Sequence, residues 1–398
     1  MTTRRSLLLL AGTGLALTAT GCREPAAATP ATAPDVLLAD TGSGLVRLSP
    51  TGAQPLGTAA AAFDGAHLYA TGSTGLEQID PATGEAVRRS ALGDGWLPRV
   101  VSTDGRVCAL SEAAGATVPA ARTRTPLVVM DSTGPRKFNL PGVIEPDAFT
   151  SDGTGLFVLD WLPATAPDHY RVRLLDLGTG QIQPLLTRNK TPVPTGAEEE
   201  MRGEGRQAVL SADKQMLFTL YTHQPGHAHT RDLLSGRPGN AHAFVHVLHL
   251  TERWAFCLDL PHPFGEGAPG TCALAANARY IAVADLAAGK LAYCSAPSLT
   301  VERLVAIPAG DAPAALALSP DGRTLVGAGD RVTVLDTTTG ATASSWKVPG
   351  PVRGLGLTVD GKRLYAGVPD GVAWFDTASG TVAGEQGVPG LTALRHVI

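Results

Sequence analysis

The chain has no excess of basic charge: 32 Lys and Arg stand against 36 Asp and Glu, a formal charge of −4. Nucleic acid is therefore not an expected partner. Aromatic residues are few, at 5% of the chain, so any core must be built from Ala, Val and Leu. No Cys-x-x-Cys-His, phosphate-binding loop, Gly-x-Ser-x-Gly or His-Glu-x-x-His occurs, which removes the simplest readings as a haem protein, nucleotide hydrolase, serine hydrolase or zinc protease. Only the N-terminus carries a sustained apolar run, and that run is too short to span a bilayer as a stable helix. What the chain has in abundance is glycine (46) and proline (30), spread along its length, as suits many short strands joined by tight turns.

The N-terminus is an address rather than structure. Met1 to Arg5 is short and cationic, Ser6 to Thr20 is apolar, and Ala19-Thr20-Gly21-Cys22 follows. This resembles the lipobox of bacterial lipoproteins, which implies cleavage after residue 21, a lipid on Cys22 and anchoring to the outer face of the cytoplasmic membrane. Thr3-Arg4-Arg5-Ser6-Leu7-Leu8 resembles a twin-arginine export signal without its usual Lys, so both twin-arginine and general export stay open. Residues 22–34 read as the lipidated Cys and an Ala/Pro/Thr tether, and residues 35–398 as one folded domain.

Internal repeats decide the fold class. Leu318-Ser319-Pro320-Asp321-Gly322 recurs as Leu357-Thr358-Val359-Asp360-Gly361, with fainter copies at Asp64-Gly65, Asp104-Gly105, Asp152-Gly153 and Ala212-Asp213. A second signal follows each first one: Val334-Leu335-Asp336 to Gly340 matches Trp374-Phe375-Asp376 to Gly380, Leu175-Asp176 to Gly180, and Ile79-Asp80 to Gly84. Each unit thus reads as strand A, Asp-Gly turn, strand B, loop, strand C, Asp-to-Gly turn, strand D, which is the blade of an all-β propeller. The pattern resembles the YVTN and lactonase-like propeller repeats, although Leu364-Tyr365-Ala366-Gly367 stands where the hallmark tetrapeptide would be. That resemblance implies architecture and no particular chemistry.

The last eight residues align with a strand A that has no blade behind it, while residues 36–57 look like strands B, C and D lacking their A. Joining the two ends closes a ring of eight blades, or seven if the first segments are mis-split, and removes the free edges. Besides Cys22, Cys108, Cys272 and Cys294 occupy places held by Leu in other repeats, which favours buried free thiols over a Cys257–Cys272 bridge.

Strand alternation puts B–C loops and D–A connections on one face. There the loops swell in neighbouring units, at residues 111–125, 161–170 and 222–243, joined by the connections 187–205 and 261–270. Loops on a rigid scaffold are where binding and catalysis concentrate. Seven of ten histidines lie between 223 and 262. His223, His227, His229 and, in the neighbouring insertion, His169 are the candidate metal ligands, since imidazole with carboxylate suits zinc or copper. Trp161, Asp168, Arg122, Arg124 and Asp232 are candidate ligand contacts on the same loops. Glu198-Glu199-Glu200 reads as a solvated charge run, with help in binding a cation as the alternative, and His249, aligned with Asp336, reads as a turn cap.

The expectation is a monomeric, lipid-anchored propeller that binds a protein or small ligand through this face, more as a binding protein than as an enzyme. The competing expectation is a metal-dependent hydrolase or lyase, or a metal-binding protein, built on His223, His227 and His229.

Overall fold

The computed structural model describes residues 32–72, 75–112, 118–203 and 206–398. The export signal, Cys22, most of the tether and residues 113–117 of the first insertion lie outside the described residues.

Eight antiparallel sheets form the ring, so the count of eight holds over seven. Blade one is made from both ends of the chain: Leu37–Thr41, Gly44–Ser49 and Gly52–Gly57 receive Leu391–Val397 as their inner strand A. Leu38 pairs with His396 and Ala39 with Leu394 across this seam. Leu391 and Leu394 are buried there with Leu37, Leu48 and Tyr365. The chain enters the ring at Ala33, which is fully buried and donates its N–H to Gln386 Oε1 at 2.7 Å.

The turns form for the reason the repeat suggests. In the A–B turn of the last blade, Asp360 Oδ1 accepts the Lys362 N–H at 3.0 Å and the Thr358 hydroxyl at 2.7 Å, and Gly361 takes φ +68. In the C–D turn, Asp376 Oδ1 accepts the Ser379 N–H at 2.8 Å and Gly380 closes at φ +70. A Cβ on Gly380 would lie 2.1 Å from Trp346 Nε1, so the neighbouring blade also requires glycine there. His249 caps its turn as expected, its Nδ1 accepting the Glu252 N–H at 3.1 Å.

The packing between blades is largely aliphatic, and between blades four and five it also carries a run of four aromatic rings. Trp161, Tyr170, Tyr221 and Phe244 are buried there, with ring centroids 4.7, 6.3 and 5.3 Å apart in succession. Blade four runs Val143–Phe149, Gly155–Leu162, His169–Asp176 and Ile182–Pro184. Blade five runs Gln207–Leu210, Met216–Tyr221, Phe244–His249 and Trp254–Asp259. Leu186–Thr187 adds a short parallel pairing outside Trp254–Asp259, giving this sheet a fifth strand.

Candidate metal centre

The swollen loops are stitched together in chain order. Arg122 donates its N–H to Ala164 O at 3.2 Å, and Tyr170 bridges Met201. Gln224 exchanges hydrogen bonds with the backbone of Arg202 at 3.0 and 3.1 Å, and His223 donates its N–H to Gly265 O at 3.3 Å. The connection 187–205 and the insertion 222–243 consequently fold against one another beside the outer strand of blade five.

Three segments meet at one point there. The connection supplies Glu199, the insertion supplies His227 and His229, and strand Trp254–Asp259 supplies Cys257 and Asp259, which share a strand face by alternation. His229 stands at the start of the short helix Thr230–Ser235. Asp232 Oδ2 accepts the His229 N–H at 3.1 Å, which fastens the first turn, and Gly236 ends the helix at φ +65. The His227 ring stacks on Phe244 with centroids 4.5 Å apart, so the aromatic wedge between the blades also fixes the histidines.

Glu199 Oε2 is the focus. The Cys257 thiol donates to it at 3.0 Å, His229 Nδ1 lies at 3.2 Å and His227 Nε2 at 3.4 Å. The second atom of each group is already held. Glu199 Oε1 accepts the Thr230 N–H at 2.9 Å, His227 Nδ1 donates to Glu200 O at 3.2 Å, and His229 Nε2 is paired with Asp259. Donor atoms of Glu199, His229 and Cys257 all lie within 4.8 Å of one another, and His227 stands beside this trio against Glu199.

Protons hold the cluster together as it stands. Burial alone would raise the Glu199 carboxyl, but the hydrogen bonds of His227 and His229 outweigh it and keep it well below the usual carboxylate range. Burial disfavours a charged His229, yet Asp259 and Glu199 overcome that and push it up to about 9. Burial and the two carboxylates push the Cys257 thiol well up. Asp259, half-buried, is held down by His229 and Arg231 against the effect of burial.

Of the residues singled out in the sequence, His227 and His229 come together in this cluster. His223 lies apart: its ring nitrogens meet Thr222 Oγ1 at 2.7 Å and Gly267 O. His169 sits between Asp168 at 2.6 Å and Glu200 at 3.4 Å. Trp161 is buried against Tyr170, and Asp232 serves the helix turn. Arg124 reaches Asn139 O from an exposed position. Arg122, a candidate ligand contact, is already held by Glu145 at 3.0 Å and Thr125 at 2.7 Å.

The run Glu198 to Glu200 is not a solvated charge run. Glu198 is buried and takes the Arg173 fork at 2.8 and 3.0 Å, Glu199 is in the cluster, and only Glu200 is exposed. The four cysteines Cys108, Cys257, Cys272 and Cys294 are free and buried. Sequence reasoning missed Cys257 and Asp259 as site residues, and gave Glu199 only as one of a run of three that could help bind a cation. The faint signal was that Cys257 and Asp259 are two apart on a strand following the His-rich insertion.

Two cavities flank the cluster. An apolar one of about 460 Å³ is lined by Glu199, His229, Cys257 and His246 and by carbon from Leu185 and Phe256. A polar cleft of about 470 Å³ carries Asp168, His169, Glu200 and His227.

The sequence matches no protein-family model and no curated protein. Similar solved structures exist. Apo AztD from Citrobacter koseri aligns with TM-score 0.53 and 12% identity over 90% of this chain and 95% of that one. A second AztD structure from Citrobacter koseri gives 0.52 and 13% over 89% and 95%. Dihydro-heme d1 dehydrogenase NirN in complex with DHE gives 0.48 and 13% over 91% and 75%. At these identities the AztD likeness supports the propeller fold and nothing finer.

Proposed function

We propose that this chain is an exported, lipid-anchored propeller that binds a zinc- or copper-class cation through Glu199, His229 and Cys257. The observation that carries the reading is the convergence on Glu199 Oε2 of a thiol and two imidazoles whose other atoms are already committed. That is how ligands are oriented around a metal: the far nitrogen of a ligating histidine is held by a carboxylate, as Asp259 holds His229. A thiolate with imidazole and carboxylate suits zinc or copper better than calcium or magnesium, which prefer oxygen alone. Bonds of roughly 2.0–2.3 Å in a tetrahedral site place ligand atoms about 3.3–3.8 Å apart. The present separations of 3.0 and 3.2 Å therefore need to open only slightly. A cation would replace the protons on His229 and Cys257.

Elemental analysis of the purified protein, before and after loading with zinc, tests this. One equivalent is expected, lost in Cys257→Ser with His229→Ala and retained in His223→Ala. A protein that takes up no zinc or copper at micromolar concentrations while keeping its circular dichroism sinks the reading. Anchoring is supported by the lipobox at Cys22; Cys22→Ala should move the protein from the membrane to the soluble fraction and abolish palmitate labelling.

A further inference from the structure

Glu199, His229 and Cys257 are three ligands, and a tetrahedral cation has four positions. Structural zinc sites fill the fourth from the protein, whereas sites that act on other molecules leave it open. All three ligands here line the apolar cavity of about 460 Å³, whose remaining wall includes Val172, Leu185, Val193, Leu234 and Phe256. Those side chains are carbon. His246 also lines the cavity and His227 Nε2 lies 3.4 Å from Glu199 Oε2, but neither belongs to the set of donor atoms that lie within 4.8 Å of one another. At the cavity, Arg188 lies over Phe256 at 5.3 Å and Trp254 at 6.0 Å, and makes no ion pair among the described residues. Arg231, by contrast, is paired with Asp259.

Resting on the metal reading, we infer that the open position is taken by the carboxylate of a small amphipathic acid, whose hydrocarbon body fills the apolar cavity. The carboxylate supplies the missing oxygen donor. Arg188 adds positive potential at the cavity. The apolar wall removes the hydrocarbon from water, and a volume of this size accommodates a short aliphatic or single-ring acid. Nothing in the arrangement calls for a bond to break: the acid is bound, held by its head group at the cation and its tail against Val172, Leu185 and Val193.

The experiment loads the protein with cobalt(II), a spectroscopic stand-in for zinc, and follows its visible bands during titration with acetate, butanoate and hexanoate. Thiolate-to-cobalt absorption, lost in Cys257→Ser, reports the cation itself. The expected result is that carboxylates shift the cobalt bands and that each methylene tightens binding about fourfold, the factor that follows from burying one CH₂. Hexanoate should then act at about two hundredfold lower concentration than acetate. Val193→Phe narrows the cavity away from the ligands; it should leave the cobalt spectrum unchanged and cancel most of the chain-length gain. Cobalt bands that form but ignore every carboxylate, or respond equally to acetate and hexanoate, overturn this inference and leave the metal site standing. Failure of the thiolate–cobalt absorption to develop overturns both.

Discussion

His246 offers a quantitative test of the interior of blade five. It lies on strand Phe244–His249 opposite Cys257, is 4% exposed, and turns its ring edge-on to Tyr221 at 6.2 Å. Burial lowers its pKa from 6.5 to about 4. The unfolded chain therefore takes up a proton between those values that the folded chain does not, and stability falls as pH drops through this window. The full effect is roughly 3 kcal/mol, and about 2 kcal/mol of it is felt at pH 5. His229 acts in the opposite sense. Raised to about 9, its contribution is complete below the unfolded value of 6.5 and is lost as pH rises through 9. Stability from these two groups is thus greatest near neutrality. His246→Phe should remove only the acid limb. Urea unfolding followed by tryptophan fluorescence, with chelator present, should show the loss between pH 7.5 and pH 5 reduced by about 2 kcal/mol in the variant. Parallel pH dependence in the two proteins would refute the claim that His246 is buried neutral.

Three further outcomes are expected. Asp259→Asn, which leaves the three ligands in place but loosens His229, should weaken zinc about 10–100-fold in competition with a chromophoric chelator and leave the fold intact. Asp147→Asn strips the carboxylate facing Arg206 between the inner strands of blades four and five; Asp147 is 8% exposed, and urea unfolding should show a loss of about 3 kcal/mol. Leu394→Ala at the closing seam should cost about 2–5 kcal/mol and lower the melting temperature, whereas the same change at the exposed Val359 should be nearly silent.

The propeller was legible because its blade is specified locally. Asp360-Gly361 and Asp376 to Gly380 make their turns with atoms a few residues apart, so the same chemistry leaves the same mark in repeat after repeat. The closing strand could be found by aligning residues 391–398 with a known strand A, because an unpaired edge in such a ring has only one complementary partner. The insertions were visible as departures from that period.

The candidate metal centre was only half legible, for a different reason. His227 and His229 stood out by density in the sequence, but Glu199 precedes them by about thirty residues and Cys257 follows by about as many. Whether such residues meet depends on how the connection 187–205 and the insertion 222–243 pack against blade five, and no local rule governs that. His223 belongs to the same run of histidines, yet its φ of +58 and its bonds to Thr222 and Gly267 take it elsewhere. Composition likewise made the three consecutive glutamates look alike. Only tertiary packing gave Glu198 to Arg173, placed Glu199 among the histidines and left Glu200 in solvent. The sequence by itself determined the blade, its turns and its closure, because those rest on short-range hydrogen bonding and strand alternation. The structure decided which side chains share a site, because that is a property of long-range packing.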